Sequence, residues 1–103
     1  MDKQWIGVKN NMSDKQQRRL NNHIKKFNKS LAQDSFLGLN RFSIRQVERQ
    51  GRFEEGTRVY LLECVDSKTR ATTTFIVNDY DYGRKIFWTV NDFIIQVRKR
   101  ELW

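Results

Sequence analysis

The sequence predicts an α+β fold: one long N-terminal amphipathic helix packed on a curved antiparallel sheet of four or five strands in a meander, followed by a short C-terminal helix or strand. Three observations predict it. Apolar residues recur at helical spacing between Leu20 and Leu31. From Arg41 to Val77 the chain is dominated by β-branched and aromatic runs separated by turn signals. Finally, 103 residues with 38% hydrophobic and 13% aromatic side chains suffice for one core and not for two. With no repeat, no low-complexity stretch and no proline, residues 1–103 are expected to form a single domain.

The elements follow in order. Gln4-Trp5-Ile6-Gly7-Val8 is expected to be a short strand or an arm laid over the sheet. Ser13 followed by Gln16 is a capping-box pattern, which starts a helix at Asp14 and carries it to about Gln33. Leu20, Ile24, Phe27 and Leu31 then occupy one narrow stripe, from about 340° to 40° around the axis with Leu20 at zero, and must face the core. His23 falls on the shoulder of that stripe. Arg41–Arg45 alternates with Phe42 and Ile44 inward, and Val47 on the opposite parity suggests a bulge near Gln46. Turn signals at Gln50-Gly51 and Glu55-Gly56 lead to Arg58–Val65, whose nearly continuous apolar character marks the central strand. A hairpin at Asp66-Ser67-Lys68 returns through Thr69–Val77, a seven-residue loop covers Asn78–Arg84, and a further strand is expected over Lys85–Val90.

The last segment reads two ways. Asn91 can cap a helix with Phe93, Ile94 and Val97 inward, or Asn91-Asp92 can turn into a strand with Phe93, Ile95 and Val97 inward. The helix is slightly favoured. The strand version resembles the way small SH3-like and Sm-like barrels end, and it makes such a barrel the alternative fold; no function follows from that resemblance.

Charge is distributed unevenly. Twenty Lys and Arg against twelve Asp and Glu leave a formal +8. Residues 1–34 carry +5, residues 35–82 are neutral and residues 83–103 carry +3. On the helix, Lys15, Arg18, Arg19, Lys25, Lys26 and Lys29 fall between about 140° and 260°, opposite the apolar stripe. A solvated helix face ordinarily mixes acids with bases, because like charges one turn apart repel; here no acidic residue lies between Lys15 and Gln33. Gln17, Asn21, Asn22 and Asn28 add neutral hydrogen-bonding groups beside the cations. The pattern, about 20 Å long, suits the phosphates of RNA or DNA. Arg98-Lys99-Arg100 is a second candidate cluster, with charge complementary to a helix C-terminus as its plainer explanation. In the expected loop, Tyr80 and Tyr82 beside Arg84 could stack on bases, although Asp79 and Asp81 alternate with them.

Other chemistries are poorly served. One cysteine, Cys64, gives neither an internal disulfide nor a thiolate cluster, and one histidine gives neither an imidazole metal site nor a relay. Two carboxylates, Asp79 and Asp81, fall short of a calcium loop. No cofactor or metal is expected, nor a membrane span or secretion signal, so the expected location is the cytoplasm. The sequence thus predicts a non-enzymatic, regulatory or accessory nucleic-acid-binding protein, with RNA or single-stranded DNA preferred. The alternatives are a protein-interaction module, possibly homodimeric, whose basic face meets an acidic partner, and a small histidine-independent ribonuclease toxin, which has only size and charge behind it.

Overall fold

The computed structural model describes residues 15–47, 51–52 and 58–102. It shows an α+β arrangement of two helices and an antiparallel sheet, in the order α1 (Lys15–Gln33), β1 (Phe42–Gln46), β2 (Gly51–Arg52), β3 (Arg58–Asp66), β4 (Thr72–Asn78) and α2 (Tyr82–Leu102). The expected N-terminal strand or arm, the Ser13 cap and the Glu55-Gly56 turn lie outside the described residues.

β3 is the centre of the sheet. β4 pairs along one of its edges, while β1 and β2 share the other, so four strand segments make three rows. Gln46 faces Leu62 and Gly51 faces Val59, so five steps along the β1–β2 edge match three along β3. The register shifts by two residues there, in the region where the parity of Val47 announces a bulge. Gly51, expected in a turn, is instead paired with Val59.

Strand alternation sorts the side chains onto two faces. Phe42 and Ile44 of β1, Tyr60, Leu62 and Cys64 of β3, and Phe75 and Val77 of β4 are buried on one face. The register places them side by side, with Ile44 opposite Cys64 and Tyr60 opposite Val77. Both helices cover this face: Leu20, Ile24 and Leu31 of α1 and Ile86, Val90 and Ile94 of α2 join the same buried cluster. α1 lies against β1 and α2 against β4.

α2 corrects the expected strand at Lys85–Val90. Ile86, Thr89 and Val90 are β-branched and Phe87 and Trp88 aromatic, so local propensity favours a strand. A strand would turn Ile86, Trp88 and Val90 to the same side; Ile86 and Val90 are buried while Trp88 is 64% exposed. Read at helical spacing, Ile86, Val90, Phe93, Ile94 and Val97 all fall within about 100° of one another, which makes one core-facing stripe on a 21-residue helix. The Asn78 carboxamide oxygen accepts the backbone N–H groups of Tyr80 and Asp81, and the Asp81 carbonyl accepts the N–H of Lys85, opening the helix directly after β4. The seven-residue loop therefore shrinks to a tight turn, Asn91 is mid-helix, and the SH3-like or Sm-like barrel is excluded.

Asp66 brings a carboxylate into the core layer. Asp66, fully buried at the end of β3, accepts Arg41 Nε at 2.7 Å and Lys68 N at 3.1 Å on one carboxylate oxygen. The other oxygen accepts Arg41 Nη2 at 3.0 Å and Thr69 Oγ1 at 2.6 Å. Arg41 then reaches Glu101 near the end of α2 at 2.8 Å, and Lys68 closes the cluster at 3.4 Å. Gly38, at φ +108°, lets the loop before β1 pass close against Arg41. Burial by itself would push the Asp66 carboxyl up; the hydrogen bonds from Arg41, Thr69 and Lys68 outweigh it and hold it at about 2.

Because the folded state lowers this pKa from its ordinary 3.8, the stabilisation is fully present above about pH 4 and is lost as pH falls through about 2. With solvent screening of the outer members, that contribution is on the order of 1 kcal/mol. Breaking the pair with Asp66→Asn leaves the Arg41 guanidinium without its buried counterion and should cost about 3 kcal/mol. Thermal melts across pH 2 to 5 check both: wild type should lose stability over that window, and the variant should start lower and change less.

Candidate functional site

The helical layer presents two stripes to solvent. On α1, Lys15, Arg18, Arg19, Lys25, Lys26 and Lys29 are all exposed, as their position opposite Leu20, Ile24 and Leu31 requires. Among the described residues, the ion pairs shown involve none of Lys15, Arg19, Lys25, Lys26 and Lys29.

The neutral residues beside these cations divide. Asn21 and Asn22 are exposed, but Gln17 is buried and its amide donates to Gln46 Oε1 at 2.7 Å and Asn21 Oδ1 at 3.0 Å. Asn28 is a clamp on the sheet. Its amide nitrogen donates to the Ile44 carbonyl and its oxygen accepts the Ile44 N–H, both at 2.8 Å. The side-chain amide thus does for the outer edge of β1 what a further strand would do, satisfying both backbone groups. The wheel itself puts Gln17 at about 60° and Asn28 at about 80°, on the flank of the core stripe, so these two do not stand beside the cations as expected.

α2 carries the second stripe. With Ile86 at zero, Arg84, Trp88, Asn91 and Ile95 lie between about 140° and 200°, opposite the core, and Phe87 lies at about 100°. Trp88 and Ile95 are 64% and 56% exposed, and Phe87 is 49% exposed with its ring edge-on to Trp88 at 5.4 Å. Arg84 and Lys85 are exposed one turn earlier.

Two contacts fix how the helices sit together. His23, midway along α1, meets the Tyr82 ring at 5.3 Å, and its imidazole would lie 3.5 Å from a Cβ placed on Gly83. At the other end, Arg98 donates to the Phe36 carbonyl at 2.9 Å and stacks over the Phe36 ring at 5.0 Å. Since His23 precedes Phe36 and Tyr82 precedes Arg98, α1 and α2 run side by side in the same direction. Phe87 is one turn beyond Gly83, and Lys26 is about one turn beyond His23. The parallel run sets the aromatic pair of α2 at the level of the Lys25, Lys26 and Lys29 cluster of α1, with both stripes on the solvent side of one layer.

The remaining candidates separate. Tyr80 is 84% exposed, whereas Tyr82 is half-buried and committed to the helix seam with His23. Tyr80, Tyr82 and Arg84 do not share a loop, because the last two are the start of α2. Arg98 is held by Phe36, Lys99 is exposed, and Arg100 points to the opposite flank of α2, where it lines a groove with Ala71, Thr73 and Gln96. The three consecutive cations do not form one patch, and Lys99 and Arg100 complement the carbonyl end of their own helix.

Phe87, Trp88 and Ile95 are site candidates the sequence reading missed. The signal was available: continuing the helical wheel backward through Asn91 gives two opposed stripes instead of one strand.

Neighbouring chemistry is quiet. Cys64 is buried, and desolvation, followed by the nearby Asp66 carboxylate, pushes its thiol up to about 12. Among the described residues, no group of His, Cys, Asp and Glu could hold a metal ion, and no helix is long and apolar enough to cross a membrane.

Asn28→Ala keeps the helix face and removes only the clamp, leaving the Ile44 N–H and carbonyl to water at best. It should destabilise by about 1 to 2 kcal/mol in denaturant titrations and speed hydrogen exchange at the Ile44 amide, while Asn22→Ala should leave both unchanged. No protein-family model, curated protein or solved structure matches the chain.

Proposed function

We propose that this protein binds nucleic acid, RNA or single-stranded DNA in preference to duplex, through the solvent face of its helical layer. The observation that carries the reading is the acid-free row of exposed cations on α1, Lys15, Arg18, Arg19, Lys25, Lys26 and Lys29, about 20 Å long. Phosphates spaced along a backbone meet such a row with several contacts at once, and each contact releases a condensed counterion. Lysine and arginine tips on a helix are also adaptable enough to follow a flexible strand. The role is a regulatory or accessory one, binding without catalysis.

An acidic protein partner is the competing reading for the same cations, and it predicts a weaker, less regular salt dependence. A protein contact of a different kind is favoured by the far side of the sheet, where Leu61 faces Ile76 across the strands and Ile76 is 52% exposed.

Salt titration tests the proposal. Six phosphate contacts on a single strand should give a log–log slope of affinity against salt near about −4. Replacing Lys25, Lys26 and Lys29 together with Gln should weaken binding and flatten the slope by about 2. Absence of binding at about 50 mM salt, or a variant that binds as wild type does, would sink the proposal. RNA recovered intact after prolonged incubation is expected; progressive cleavage would favour a ribonuclease instead.

A further inference from the structure

The exposed stripe of α2 has a shape and composition that the cations of α1 do not explain. Phe87 and Trp88 are large, rigid rings left in solvent on a helix whose other face already supplies the core. A helix needs one apolar stripe to pack on a sheet; α2 has two, and the outer one is flanked by Arg84 and Lys85. Its surroundings favour an anionic occupant, because the seam of the two helices brings Lys25, Lys26 and Lys29 to its level. Asp92, one turn after Trp88, is the acidic residue on that part of the helix. Unpaired nucleotides are the chemistry that fits: a flat π-face on every base and a charge on every phosphate. A duplex hides its base faces, so it could use the cations and not the rings.

We propose that Phe87 and Trp88, with Arg84 one turn ahead of them, form a base-stacking platform, and that the strand held by α1 lays its unpaired bases on α2. This inference rests on the nucleic-acid reading above and narrows it to single strands, with α1 gripping phosphates and α2 holding bases. The platform tolerates any base, since stacking reads no hydrogen-bond edge.

The test uses oligo(dT) and oligo(U) of about 12 nucleotides and a blunt duplex of the same length, each at about 50 mM salt. Trp88→Ala should weaken both single strands about tenfold without changing the salt slope, leave duplex affinity where it was, and be largely rescued by Trp88→Phe. The Lys25, Lys26 and Lys29 to Gln triple variant should instead weaken all three ligands and flatten the slope. In a chain carrying Trp5→Phe and Trp103→Phe, Trp88 is the remaining tryptophan, and its fluorescence should be quenched by oligo(dT). Unaltered single-strand affinity in Trp88→Ala, with the triple variant still impaired, overturns the platform and leaves the phosphate contacts standing. Unquenched Trp88 emission at saturating oligo(dT) overturns it as well. So does a Trp88→Ala chain that changes only from dimer to monomer in sedimentation, since the stripe is then a contact between copies. No binding of any ligand by wild type removes both proposals together.

Discussion

Among the described residues the sheet is buried on one face, so everything that covers it gathers on the same side, and this constraint organises the two helices. Phe42, Ile44, Tyr60, Leu62, Cys64, Phe75 and Val77 present one continuous apolar surface. A single helix is about 10 Å wide and cannot cover three rows of strands spaced about 4.8 Å apart together with their flanks. α1 takes the β1 side and α2 the β4 side, and the solvent faces of two helices far apart in sequence become neighbours. The basic stripe and the aromatic stripe both lie on the solvent side of the helical layer because both helices turn their apolar stripes to the same face of the sheet.

The rotation of α2 about its own axis decides what it shows to solvent. Ile86, Val90, Phe93, Ile94 and Val97 set that rotation broadly, since an apolar stripe tolerates some roll. Polar contacts at its far end narrow it. Arg41 holds Glu101 while Asp66 holds Arg41, and Arg98 is fixed on Phe36 from the α1 side. A buried ion pair contributes little net stability, because desolvation offsets most of the Coulomb gain. Its geometry is nevertheless demanding: four donors converge on one carboxylate, and the Arg41 fork must serve two acids at once. The cluster ties the end of α2 to the start of β1 and to the β3–β4 hairpin, which are themselves joined by the Ser67 N–H donating to the Arg41 carbonyl at 2.9 Å.

The edge of β1 illustrates a different economy. An exposed strand edge invites pairing with other chains, and Asn28 closes it with one side-chain amide that supplies both a donor and an acceptor. Asn28, at about 80° from Leu20 around the axis, lies on the flank of the core stripe and not among the cations, which is where the clamp requires it. Gln17, at about 60°, lies on the same flank, turned toward Gln46. What survives as a surface is the charged part, because a lysine or arginine head has no partner in an apolar layer and extends into water.

The sequence by itself determined α1, its core stripe of Leu20, Ile24, Phe27 and Leu31, its exposed cations and the central place of the strand Arg58–Val65. Each rests on a periodicity carried by many residues and on the cost of burying charge, and both are local properties. The helix favoured for Asn91–Arg100 is the C-terminal half of α2, and tertiary structure decided that it begins as early as Tyr82. Over Lys85–Val90 the β-branched and aromatic residues prefer a strand, and only the fit of Ile86, Val90 and Ile94 against β4 makes the helix the better state. The same packing decided that Tyr82 turns into the helix seam while Trp88 faces water, and that Arg98, Lys99 and Arg100 part company. Residues distant along the chain meet through the fold, so no window of sequence could contain the surface they make.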